Sequence, residues 1–387
     1  MKKILIIFIL ILCGALAYCD QLTNIHKCDK APKIDGILDD DCYKDCAVVG
    51  YFLTLSDNSI GSIKDKVYIT YDEKNIYFGL DVYVSNPSIS SFNEKNGKVW
   101  YDDDVEIYIQ PDLGKRTYFM LGMNGGNSCY LGLGKSYAEK NNTIYKSFST
   151  EKGWQGEIAL PWSDIGVTEP SIMGLNICGY KKNDQILYTW NDLKGLSFHT
   201  PEKFGRMTFD ENLPVFRLDL LDFAEHNLTV KGELVGEGPF DYSLEANGEI
   251  KKNSLSNEVN IKDSFKDGKG TFHLLLNKGG KTFYRSDFIA GTAKLYCDLV
   301  GDKLKVKIDL NNVALEPYTK VSLTVCEPNK SKSRLDRKIY FGENLNYQEP
   351  ICKEYEFKLP KKGEYWVRLE LINASGRIKL VDETVKY

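Results

Sequence analysis

Apolar residues in this chain recur with a period of two, segment after segment, and no long amphipathic helix interrupts the series. The clearest case is Val105-Glu106-Ile107-Tyr108-Ile109-Gln110. Val105, Ile107 and Ile109 point one way and Glu106, Tyr108 and Gln110 the other, which predicts a strand with one face in a core. Pro111 has no N–H to give a ladder, so the strand should end there. Val67 to Asp72 and Ile76 to Val84 alternate in the same way across the turn Asp72-Glu73-Lys74-Asn75, the pattern of a hairpin. Gly153 to Trp162 is a further strand, stopped by Pro161, and Met173 to Tyr180 another. A run of strands without helices predicts a β-sandwich.

Past Glu211 the alternation continues, with Val215 to Leu220, Leu304 to Leu310 and Tyr365 to Leu371 among its segments, separated by Gly, Asn and Lys turns. That is enough chain for one or two small sandwiches meeting near Ala290 to Thr292. Gly363 to Leu369 looks like a late strand of an immunoglobulin-like domain. The expected fold class is all-β. The expected divisions are a leader over 1–17, a sandwich over 30–211, and immunoglobulin-like β domains over 213–290 and 292–387. The second half carries no motif of chemistry and reads as a spacer or as a docking module for a cell surface or an enzyme.

The leader is argued from Lys2 and Lys3, the apolar run Ile4 to Leu12, and the small-x-small site Ala15-Leu16-Ala17. Cleavage after Ala17 and secretion are expected. A lipid anchor at Cys13 or Cys19 is disfavoured, because Leu12 and Tyr18 stand where lipoprotein signals carry a small residue. No later stretch is long and apolar enough to span a membrane. The 387 residues carry a net charge of −4 with Lys and Arg scattered among Asp and Glu, so no basic face recommends nucleic acid. Nine of the ten cysteines follow the cleavage point and none form a metal-type CxxC group; their pairing is open. Cys42 and Cys46 read best as small buried hydrophobes.

Trp100 stands just before Asp102-Asp103-Asp104, on a loop entering the Val105 strand. An aromatic beside acids, with Glu106 facing out of the core, reads either as a small binding site or as a rim Trp above a solvated acidic turn. Grouped acids, here and at Asp39-Asp40-Asp41, also invite calcium, although neither group has EF-hand spacing.

Five units in order resemble the family 9 carbohydrate-binding modules and their DOMON-related kin. They are Ile34-Asp35-Gly36 with Leu38-Asp39; Tyr71-Asp72 with Ile76-Tyr77; Trp100 with Asp103 and Val105-Glu106-Ile107; Trp154 with Glu157-Ile158-Ala159-Leu160-Pro161-Trp162; and Pro201-Glu202-Lys203-Phe204-Gly205. The resemblance implies a β-sandwich whose aromatic rings clamp a sugar while polar side chains of one sheet bind its hydroxyls. Trp100 matches the first clamp ring. Phe198 stands where the second ring, a Trp, is expected, and Trp190 is an alternative. Glu106 matches the binding glutamate, Asp103 an acid of the same motif, and Asn176 the amide of the binding face. Met120 and Gly122 stand where polar side chains are common, which implies a less polar pocket. The family also commonly holds structural calcium.

A secreted, non-catalytic carbohydrate-binding protein is therefore expected, with a poly- or oligosaccharide as its partner and structural calcium as its one candidate cofactor. Two alternatives belong to other classes. Glu106 paired with Asp103 or Glu157 would suit a glycoside hydrolase or its accessory component. Met120 or Met123 with His199 would suit a haem-binding electron-transfer domain.

Overall fold

The computed structural model describes residues 21–387 apart from 56–62, 139, 185, 194–196, 225–226, 247–248, 266–269, 314–319, 327–336, 345–351 and 374–375. The leader with its cleavage site, and Cys13 and Cys19, lie outside the described residues.

The chain is all-β, as the alternation predicts. Its first part supplies β1 (Leu22–Asn24), β2 (Ala47–Thr54), β3 (Ile63–Tyr71), β4 (Asn75–Tyr83), β5 (Asp104–Gln110), β6 (Phe119–Asn124), β7 (Cys129–Leu133), β8 (Ser136–Tyr137), β9 (Ile144–Thr150), β10 (Gly153–Pro161), β11 (Met173–Lys181), β12 (Ile186–Thr189) and β13 (Gly205–Thr208). One sheet runs β8-β7-β6-β5-β11 and continues through β13 to β1. The facing sheet runs β9-β10-β4-β3-β2. Between them lies a core that includes Val105, Ile107 and Ile109 from β5, Ile158 and Leu160 from β10, and Ile69 and Phe78 from the hairpin. The period-two reading of β5 is thus correct to the residue. Full burial of such side chains stabilises by roughly 1.5–3 kcal/mol each.

The second part folds as β14 (Val215–Ala224), β15 (Asn227–Val235), β16 (Phe240–Ala246), β17 (Glu249–Leu255), β18 (Glu258–Ser264), β19 (Gly270–Lys278) and β20 (Lys281–Val300). β14, β15 and β18 form one layer, and β17, β16, β19 and β20 the other. Both layers meet the first sandwich edge to edge. β1 pairs antiparallel with β20 through Leu22 and Arg285, and β2 meets β14 through Val48 and Arg217. Side chains reinforce the seam. Gln21 Nε2 donates to the Asp287 carbonyl at 2.9 Å, the Asp287 N–H returns to Gln21 Oε1 at 3.2 Å, and Arg217 reaches the Tyr43 carbonyl at 2.6 Å.

The last part adds β21 (Lys303–Val313), β22 (Lys320–Cys326), β23 (Arg337–Asn344), β24 (Cys352–Lys358), β25 (Glu364–Asn373) and β26 (Gly376–Lys386). β20 runs through Ala290–Thr292 and lends its far half to a layer with β21 and β24. The layer β23-β22-β25-β26 faces it across a core built on Leu304, Leu323 and Val367. This is the immunoglobulin-like arrangement of two small packed sheets.

Candidate functional site

On β5 the polar alternates Asp104, Glu106, Tyr108 and Gln110 face away from the core. Strand register sets what lies beside them. Glu106 is directly opposite Cys178 of β11 and Gly122 of β6, and Gly122 is opposite Tyr130 of β7. Tyr108 is opposite Asn176 and Met120 in the next row. Residues paired across neighbouring strands share a face, so these two rows floor one surface.

Gly122 opens a gap in that floor. A Cβ there would lie 2.6 Å from Val99 Cγ2, so only glycine lets the turn Val99–Tyr101 settle onto the sheet. Val99 is buried in the gap, and Trp100 is held half-buried beside it. The Trp100 ring meets Tyr130 edge to face, with centroids 5.1 Å apart at 88°. From the opposite side come Phe198 and His199, against the face of Tyr108. The result is a cleft of about 500 Å³ lined by Trp100, Glu106, Tyr108, Met120, Tyr130 and Phe198, with Leu55, Lys135, Tyr180, Leu187, Ser197 and His199 around them.

Glu106 lies at the buried floor. Its Oε2 accepts a 2.5 Å hydrogen bond from the Tyr108 hydroxyl. Burial raises its pKa, while that hydrogen bond pulls it back down. Asp104, two residues earlier on the same face, is fully buried. Its Oδ1 accepts the Tyr180 N–H at 2.9 Å, and Oδ2 has no donor of its own. Burial, and then the neighbouring Glu106 charge, hold its carboxyl well above the usual range. Among the described residues no cation pairs with either acid. His199 Nδ1 lies 2.8 Å from the Tyr118 hydroxyl, and burial, with Lys135 nearby, lowers its pKa, which keeps the ring neutral at pH 7.

The structure brings together Trp100, Glu106 and Phe198, and it separates the other candidates. Trp190 is 3% exposed inside the sandwich core, so it is no clamp ring. Asn176 shares the face of Tyr108, yet its amide is spent within the protein. Oδ1 accepts from the Asn191 N–H and amide, and Nδ2 donates to Thr189 and Cys178. Asp103 turns away from the cleft; its carboxylate accepts the backbone N–H groups of Ser88 and Lys182 and so fastens two loops.

The acidic triad is not a solvated turn either. Asp102 is fully buried and accepts from the Ser90 N–H and hydroxyl, the Ser91 N–H and the Asn124 amide. These donors occupy the oxygens that calcium would need, and the set does not fit that ion. At the other group, Asp40 accepts the Lys33 N–H and Asp41 pairs with Lys44. Among the described residues no group of three or more His, Cys, Asp or Glu is arranged around a metal position.

Neither suggested hydrolase pair is assembled. Glu157 belongs to the facing sheet, where it accepts the Asp35 and Gly36 N–H groups at 2.8 and 2.7 Å and the Tyr43 hydroxyl at 3.0 Å. Of the suggested haem ligands, Met123 lies in the core, while Met120 and His199 both line the cleft. Sequence reasoning missed Tyr108, Tyr130, Tyr180 and Lys135. The period of β5 placed Tyr108 on the face of Glu106 and was the available signal; nothing local marks the other three.

Fold and cleft define a β-sandwich with an aromatic recess over a buried acid on one sheet. Residues 34–212 match the family described as carbohydrate family 9 binding domain-like, and the chain carries a domain of that family there. The endo-1,4-beta-xylanase A of Thermotoga neapolitana is 28% identical over 151 residues, which are 37% of this chain and 14% of that protein. The exoglucanase XynX of Acetivibrio thermocellus is 27% identical over 188 residues, 46% of this chain and 16% of that one. The chain therefore spans only a small share of these relatives' own length. A family 9 carbohydrate-binding module from Caldicellulosiruptor kristjanssonii, solved with cellotriose, shares 16% identity over 49% of this chain and 96% of that one, with a TM-score of 0.36.

Proposed function

We propose that the cleft binds a sugar of a poly- or oligosaccharide without catalysing a reaction on it. The observation that carries this reading is the placement of Trp100 over a floor that holds Glu106. A pyranose has an apolar C–H face for a ring and a hydroxyl rim for a charged acceptor. Tyr108, Tyr130 and Phe198 extend the apolar wall, and Tyr118 and His199 add polar atoms beside it. Phe198 offers less face than a Trp and no N–H, which argues for a looser grip on that side.

We further propose that the protein is exported with cleavage after Ala17, that its domains divide near 211–213 and 290–292, and that the C-terminal half presents the binding domain to a cell surface or an enzyme. Mass spectrometry of the exported protein checks the first of these; an intact Met1 or a lipidated Cys19 would count against it. A glycan array with the full chain, followed by calorimetry with β-1,4-linked xylo- and gluco-oligosaccharides, tests the sugar reading. Binding lost in Trp100→Ala supports it. Release of reducing sugar would favour the hydrolase, and a Soret band in the purified protein the haem domain.

A further inference from the structure

The cleft's aromatic wall does not stop at the cleft. Tyr101 follows Trp100 in the same turn, and the two ring centroids are 6.0 Å apart. On the other side Trp100 meets Tyr130 at 5.1 Å, and Tyr130 meets Tyr137 of β8 at 5.2 Å. Four rings thus form an unbroken row, Tyr101, Trp100, Tyr130 and Tyr137, whose middle borders the sugar cleft. The end rings are 60% and 55% exposed and belong to no core. Exposing an amphipathic ring is unremarkable singly; two of them continuing a recessed site on either side mark a longer contact surface. Exposed Lys98, Lys135 and Ser136, adjoining the end tyrosines, offer donors and acceptors that suit hydroxyl groups.

We propose that this row is an extended binding surface for a glycan chain, with one sugar residue in the cleft and the residues joined to it lying across Tyr101 and Tyr137. The inference rests on the cleft holding a sugar, and it adds that the ligand is a chain and not a free mono- or disaccharide. Continuity decides the occupant: whatever covers Tyr101 and Tyr137 must also reach Trp100, and a covalently continuing sugar chain does so without a second recognition event.

Calorimetry on the full chain with β-1,4-linked gluco- and xylo-oligosaccharides of two and six residues tests it. The hexasaccharide should bind roughly tenfold tighter than the disaccharide. The double variant Tyr101→Ala/Tyr137→Ala should bring the hexasaccharide to within about twofold of the disaccharide and leave disaccharide affinity unchanged. Tyr101→Phe/Tyr137→Phe should keep the gain, since the rings remain. Equal wild-type affinity at both lengths overturns the row while the cleft reading stands. So does a length gain that survives the alanine pair, because that gain comes from the number of ways a chain can sit in the cleft. Failure of both lengths to bind overturns the cleft reading and the row together.

Discussion

The Tyr108 hydroxyl donates to Glu106 Oε2 at 2.5 Å, from two residues further along the same strand face. The bond holds the carboxylate in one orientation at the cleft floor and favours its ionised form, opposing the upward push of burial. Glu106→Gln replaces a charged acceptor with a neutral one and should weaken sugar binding by about tenfold or more. Tyr108→Phe frees the carboxylate and should weaken binding less, by a few-fold, as titration calorimetry would measure.

Trp100 is the anchor of the cleft, and truncating a central aromatic typically costs about 2 kcal/mol or more. Trp100→Ala should weaken binding at least roughly tenfold while Tm stays nearly constant, because the ring is half-buried outside the main core. Phe198→Ala should weaken it less, and Phe198→Trp should strengthen it. Trp190→Ala, in the core, should instead destabilise the fold by about 3–5 kcal/mol. Trp366→Ala, in the C-terminal half, serves as the control and should leave binding unchanged.

Asp104 gives the domain a pH dependence of definite sign. Between the usual carboxylate range and its raised value, folded Asp104 holds a proton that the unfolded chain has lost. Stability must therefore fall as pH rises through that window. Asp104→Asn keeps the acceptor for the Tyr180 N–H and supplies a permanent donor toward Glu106. The variant should flatten the decline and gain about 1 kcal/mol or more over the parent at the alkaline end. Tm measured across pH for both proteins checks it.

Gly122 makes room for Val99, and a Cβ at 2.6 Å forces the turn off the sheet. Gly122→Ala should cost about 1–3 kcal/mol by overpacking and should weaken sugar binding as well, although residue 122 itself need touch no ligand. Loss of stability with unchanged affinity would show that the turn relaxes without moving Trp100.

The fragment 20–212 should melt cooperatively, since the first sandwich has its own core, but at a lower Tm than the full chain. Removing the remainder uncovers Leu53, breaks the Gln21–Asp287 pair and strips the neighbours from β1 and β2. A fragment that stays molten in calorimetry would show that the seam is required for folding.

The sequence alone determined the all-β class, the hairpin β3–β4 and the strands β5, β10 and β11, the inward and outward residues of β5, and the aromatic and acid of the cleft. Each of these follows from local rules: a two-residue period, a stopping proline, a motif of fixed spacing. The partners of polar atoms were decided only in three dimensions. Asp102, Asp103, Asn176 and Glu157 look alike on paper as acids and amides free to bind, yet backbone N–H groups and side chains distant in the chain consume them. A buried polar group must find a partner, and folding supplies that partner from wherever the chain passes. The same holds for Trp190 against Phe198, eight residues apart: one ring packs into the core and the other lines the cleft, a choice made by packing. Tyr130 and Tyr180 reach the site through strand pairing, and Lys135 from the turn that joins β7 to β8, because register across a sheet brings together residues whose own segments carry no mark of the company they keep.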